Sequence, residues 1–202
     1  INGYAFERRE LKYRITDAQR AALEAAFDAR MVPDEHGEST ICNIYYDTAD
    51  YRLIRASLEK PAYKEKLRLR SYGVTEPGGE VFLELKKKYK GIVYKRRITL
   101  PEDAAGEFIA GRAPLGEHGQ IGREIEYFTA FYASLLPAVH LSYERSAWFS
   151  RKDRDLRITF DKNIRFRQED VSLILPAGGR RILPEGESLM EIKAAAALPL
   201  WL

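Results

Sequence analysis

Several segments of this chain share one constraining pattern, with cations at every second position and apolar residues between them. In "YKEKLRLRSYG", Lys66, Arg68 and Arg70 have one parity and Leu67 and Leu69 the other. Successive side chains of a strand point to opposite faces. A strand here therefore puts three cations on one side and two leucines on the other. "LELKKK" sets Glu84, Lys86 and Lys88 against Leu83 and Leu85, and "RRELK" gives Arg8, Glu10 and Lys12 one parity. "VYKRR" pairs Lys95 with Arg97, and Arg145 lies in "YERSAW". "RITFD" sets Arg157, Thr159 and Asp161 against Ile158 and Phe160, and "MEIK" sets Glu191 and Lys193 against Met190 and Ile192.

One strand of this kind is the solvated face of a half-buried antiparallel sheet. A meander of them that closes on itself would turn every charged face into one lumen. Like charges crowded in a confined space are costly to keep ionised. Such a lumen calls for a polyanion, and the interspersed carboxylates suggest a divalent cation travelling with it. On this view the free protein sits below its optimum stability, and removing Arg68 and Arg70 together costs it nothing.

The coarse reading is α+β. Strands are expected at 6–16, 40–50, 63–73, 138–150 and 155–168, with one or two more after 168. Residues 80–100 read as a hairpin turning at Lys90-Gly91. Helices are expected at 17–31, with Asp17 as N-cap, at 51–59, and in "PEDAAGEFIAGRA" and "IGREIEYFTAFYASL". The closing run "AAAALPLWL" reads as a helix cut short in a fragment. No repeat or linker divides the 202 residues, so one domain spanning 1–202 is expected.

Composition excludes several classes. Hydrophobic residues at 45% suit a folded soluble chain, and no apolar run approaches the ~20 residues of a membrane span. A net charge of only +3 and few aromatics beside the basic strands argue against nucleic acid. The single cysteine, Cys42, reads as a small buried hydrophobe in a reducing, cytoplasmic compartment. His36, His118 and His140 are too scattered for zinc. Neither a phosphate-binding glycine loop nor an acyl-transfer serine elbow occurs. Trp148, Tyr127, Phe128, Phe131, Tyr132, Tyr45 and Tyr46 read as packing residues, with one phenol of the Tyr45–Tyr46 pair lining the lumen as the alternative; Asp47 reads as a turn residue or cation partner, and Asp161 as the group that orients Arg157.

Taken in order, "ERRELKY", "IYYDT", "KLRLRSYG", "FLELKKK", "VYKRR", "YERSAW", "RITFD" and "MEIK" resemble the VTC domain, the polyphosphate polymerase branch of the triphosphate tunnel metalloenzymes. The resemblance implies an antiparallel eight-stranded β-barrel tunnel with flanking helices. It implies transfer of the γ-phosphoryl group of ATP to a growing polyphosphate chain. Carried over by position, Lys12, Arg68, Arg70, Lys86, Lys95, Arg145 and Arg157 would contact the triphosphate or the product chain. Arg8, Lys66, Lys88, Arg97 and Lys193 would add substrate contacts, and Arg8 stands where the wider superfamily has the first Glu of Glu-x-Glu-x-Lys. Glu191 would bind Mn²⁺ or Mg²⁺, and Glu10 and Glu84 stand where other tunnel enzymes carry metal ligands. In the family a helix and a further basic motif follow the "EIK" strand, and this chain stops before them. A tunnel triphosphatase acting on tripolyphosphate or a nucleoside triphosphate, and a non-catalytic polyanion-binding module, are the alternatives. Protein partners are left open.

Overall fold

Apolar residues at strand spacing, interrupted by helices with one apolar stripe, build an antiparallel sheet with helices packed on it. The computed structural model describes residues 9–90, 92–153, 155–195 and 198–202. Its elements are β1 (Arg9–Thr16), α1 (Asp17–Phe27), a short 3₁₀ turn (Asp28–Arg30), β2 (Met31–Pro33), β3 (Ser39–Asp47), α2 (Arg52–Leu58), β4 (Tyr63–Tyr72), β5 (Glu80–Tyr89) and β6 (Ile92–Pro101). There follow α3 (Glu102–Ile109), α4 (Gly119–Tyr132), β7 (Leu136–Ser150), β8 (Arg157–Arg167), β9 (Arg180–Arg181) and β10 (Glu187–Ala194). The α+β class, the antiparallel pairing and the flanking helices are as expected, with β2 and β9 as two short additions. No helix among the described residues is long and apolar enough to cross a membrane.

The chain divides into two compact units. One comprises the described residues up to Thr40, Tyr143–Arg165 and Arg181–Leu202; the other comprises Ile41–Ser142 and Phe166–Arg180. In the first unit the strands run β1–β10–β8–β7, and β2 pairs with the end of β7. Its core gathers Ile15, Phe27, Met31, Ile158, Phe160, Met190 and Ile192, with Leu23 of α1 and Trp148 packed on them. Phe27 meets the Trp148 ring edge-on at 5.2 Å. In the second unit the order is β7–β3–β4–β5–β6, and the core joins Leu67, Leu69, Leu83, Leu85 and Ile98 to Phe108 of α3 and Ile125 and Phe128 of α4.

Local departures from expectation have local causes. Thr16, not Asp17, caps α1: the Thr16 hydroxyl accepts from the Gln19 N–H at 3.3 Å and Gln19 Oε1 accepts from the Thr16 N–H at 2.9 Å. This is a capping box, and the T-x-x-Q spacing was its signal. α1 stops at Phe27, so Met31 enters a strand instead. Asp47 caps α2, accepting the N–H groups of Leu53 at 2.8 Å and Ile54 at 2.9 Å. Lys90 sits at φ +46°, the left-handed conformation that a two-residue hairpin loop demands. The expected final helix is not formed by Leu198–Leu202, where Leu202 N–H donates to Pro199 O at 3.0 Å in a turn. Proline supplies no amide hydrogen and disfavours helix in the residue before it.

Candidate functional site: two cation clusters

Strand register decides which side chains share a face. In the second unit, Leu67 pairs with Leu85 and Leu69 with Leu83, all turned to the core. The opposite face then carries three cross-strand rows. Lys66, Lys86 and Lys95 form the first, Tyr45, Arg68, Glu84 and Arg97 the second, and Asn43, Arg70, Phe82 and Thr99 the third. Lys88 continues this face toward the hairpin end, opposite Lys64 and Val93.

Glu84 organises the second row. Its carboxylate is almost closed from solvent at 1% exposure. Arg68 Nε donates to Oε2 at 2.6 Å, Arg97 Nε to Oε1 at 2.7 Å, and Lys95 Nζ lies 2.8 Å from Oε1. Burial alone would raise its pKa, but the charges of Arg68 and Arg70 and the Lys95 hydrogen bond bring it down to about 2. Lys95 moves below its ordinary value because burial and the neighbouring arginines outweigh Glu84. Around this buried carboxylate the cations keep an outward side: Arg68 is 23% exposed, Arg97 33% and Lys95 46%.

Aromatic rings brace the guanidinium groups. Arg97 lies 4.6 Å from the Phe82 ring centre and Arg68 lies 5.9 Å from that of Tyr45. Arg68 Nη1 donates to the Tyr45 hydroxyl at 3.1 Å. Arg70 is buried, and its Nε donates to Asn43 Oδ1 at 3.0 Å while Asn43 Nδ2 donates to Leu141 O at 3.2 Å. Sequence reasoning does not mark Asn43 and Phe82 as supports of the cations, although Asn43 and Tyr45 alternate against Cys42, Ile44 and Tyr46 in "CNIYYD". Cys42 and Tyr46 are buried in the core, as expected, whereas Tyr45, also expected to pack there, turns to the cation face because strand alternation sets neighbouring side chains on opposite sides.

The first unit has its own cluster. Ile158, Phe160, Met190 and Ile192 face its core. On the other face Glu10, Lys193 and Arg157 form one row and Lys12, Glu191 and Thr159 the next. Lys12 Nζ lies 3.1 Å from Glu191 Oε1 and Lys193 Nζ 3.2 Å from Oε2, with Lys193 also 3.9 Å from Glu10. Burial opposes ionisation of Glu191, but Lys193 and Lys12 hold its pKa below the usual carboxylate value. Asp161 grips Arg145 rather than Arg157, with the fork closed at 2.6 and 2.7 Å. Arg157 lies over the Phe149 ring at 4.9 Å. Arg8 falls outside the described residues.

This pairing changes the picture of mutually repelling cations. Arg68, Arg97 and Lys95 already share a buried counter-charge, so removing Arg68 leaves Glu84 short of a partner and costs stability. A metal meets the same arithmetic. Among the described residues no group of three or more His, Cys, Asp and Glu is placed to hold an ion. A divalent ion beside Glu191 would take one carboxylate from the protein and its other oxygens from phosphates, a mode common for Mg²⁺.

The chain is 28% identical, over an alignment of 155 residues, to vacuolar transporter chaperone complex subunit 4 of Schizosaccharomyces pombe. That alignment covers 66% of this chain and spans 21% of that protein's length. A candidate adenylate cyclase from Bacillus halodurans superimposes with a TM-score of 0.54 at 14% identity, covering 94% of this chain and 83% of that one. This likeness shows the fold. A candidate adenylyl cyclase from Hippeastrum, reported with a dominant triphosphatase activity, gives a TM-score of 0.49 at 16% identity over 92% of this chain and 78% of that one. The VTC domain family matches residues 7–202, across both units, and the chain belongs to that family.

Proposed function

We propose that the chain is a polyphosphate polymerase domain, a phosphotransferase that passes the γ-phosphoryl group of ATP to the end of an inorganic polyphosphate chain. One observation carries the reading: Lys66, Lys86 and Lys95 stand directly opposite one another beside the Arg68–Glu84–Arg97 row. Like charges in register destabilise a sheet; Glu84 offsets part of this at Lys95, and a chain of phosphates running along the row would neutralise it further.

The chemistry asks little of the protein beyond position and charge. A terminal phosphate oxygen of the acceptor attacks the γ-phosphorus and forms the new P–O bond. The bond from that phosphorus to the β,γ-bridging oxygen breaks, and ADP leaves with its electron pair. The acceptor is already an oxyanion, so no base is needed. Arg68 and Arg97 offer forked donors to phosphate oxygens and the lysine row supplies point charges along the chain. Glu191 would hold Mn²⁺ or Mg²⁺, which supplies charge stabilisation when bound, while Glu10 stands one row away across Lys193. Glu84, spent on three cations, acts as their internal anchor rather than as a metal ligand.

A triphosphatase on the same scaffold needs a base for water. Glu84 at about 2 and a depressed Glu191 are poor ones, leaving Glu10 to carry that alternative. Incubation with ATP and Mn²⁺ separates the readings by product. Long-chain polyphosphate with ADP supports the polymerase, whereas free phosphate without chains supports the hydrolase. Tight polyphosphate binding with neither product would reduce the domain to a binding module.

A further inference from the structure

A cavity of about 450 Å³ lies in the second unit, beside the end of β3, α2 and the start of β7. Its lining includes Tyr45, Tyr46, Leu53 and Val139, with Lys66 in the wall. The size and the mostly apolar lining with a few polar groups are those of a small-molecule site. Two of its residues also belong to the cation face. Lys66 opens the lysine row, and Tyr45 accepts a hydrogen bond from Arg68 at 3.1 Å. The cavity is therefore an aromatic-lined apolar space that shares Tyr45 and Lys66 with a phosphate-binding surface.

We propose that this cavity receives the heteroaromatic base of the nucleoside triphosphate, with Tyr45 as the wall shared between base and phosphates and Lys66 near their junction. The inference rests on the phosphate reading of the cation rows and adds a site for the ring. A flat ring gains from contact with tyrosine faces and from leaving water, which tripolyphosphate, lacking a ring, cannot do. The chain then prefers a nucleotide over a bare phosphate chain of equal length, and the preference resides in the cavity alone.

The test titrates wild type and Val139→Phe, which fills the cavity, with ATP and with tripolyphosphate at fixed salt and Mn²⁺. The expected result is unchanged tripolyphosphate affinity and an ATP affinity lowered about tenfold or more in the variant. Independently of the variant's folding, 8-azido-ATP irradiated on the wild-type chain should label the segment 45–54. Label confined to other segments, or equal losses for both ligands in a folded variant, would overturn the base site while leaving the phosphate reading intact. A wild type that binds no tripolyphosphate would overturn the phosphate reading, and the base site with it.

Discussion

Glu84 and His140 show how differently two buried titratable groups behave. The Glu84 carboxyl, held at about 2 against an ordinary 4.5, contributes roughly 3 kcal/mol. Its pKa is depressed on folding, so that contribution is complete above pH 4.5 and is lost as pH falls toward 2. Glu84→Gln should remove this acid-sensitive stretch from a stability-versus-pH profile and lower stability at neutral pH. His140 is the opposite case: fully buried, with no hydrogen-bond partner for either ring nitrogen among the described residues. Burial and Arg167 lower its pKa to about 4 from 6.5, so protonation favours the unfolded chain. Stability should decline as pH drops from 6.5 to about 4, and His140→Leu should flatten that interval. The two windows barely overlap, and urea melts across pH 2–7 read both. Glu191→Gln tests a third role. It keeps the side chain's shape but removes the charge that attracts a hard divalent ion. Nucleotide should still bind through the lysines and arginines while polyphosphate synthesis collapses; undiminished synthesis would refute the metal role.

Helix α4 shows where periodicity informs and where composition misleads. Phe128 is buried, with Gly122 and Ile125 on the same stripe. Tyr127 and Phe131, expected to pack, are instead 70% and 54% exposed, their rings stacked on each other at 6.3 Å. Phe128→Ala should therefore cost about 3–5 kcal/mol, and Phe131→Ala under ~1 kcal/mol, in denaturant melts. The strands were easier to read because period-two alternation assigns faces directly: Leu67 and Leu69 inward, Arg68 opposite. Their pairing was not readable. Nothing in "LELKKK" says that Glu84 meets Arg68 and Arg97, since cross-strand partners depend on register. A shared strand face points to Asp161 as Arg157's partner, but Asp161 reaches the neighbouring strand to hold Arg145. Capping followed the same rule. The Thr16 box was written locally, whereas the bond from Asp47 to Ile54 spans a turn whose shape had to be known first.

Over the whole molecule, each unit has its own apolar core and its own charged face, and buried carboxylates sit among the cations of each, Glu84 in one unit and Glu191 and Asp161 in the other. The internal carboxylates offset part of this crowding, although the lysine row still sets like charges opposite one another. The alternation of cations made the two charged faces legible in the sequence; the carboxylate anchors and the tyrosine-lined cavity came only with the fold. A ligand that binds the native state alone stabilises it by mass action, about 2.7 kcal/mol at 100 times its Kd. The most direct measurement is a thermal melting series with tripolyphosphate, sulfate and chloride at constant ionic strength. The expected result is a saturable rise in Tm with tripolyphosphate, well beyond that with chloride. Equal shifts from tripolyphosphate and chloride would mean general screening and would contradict a built phosphate site.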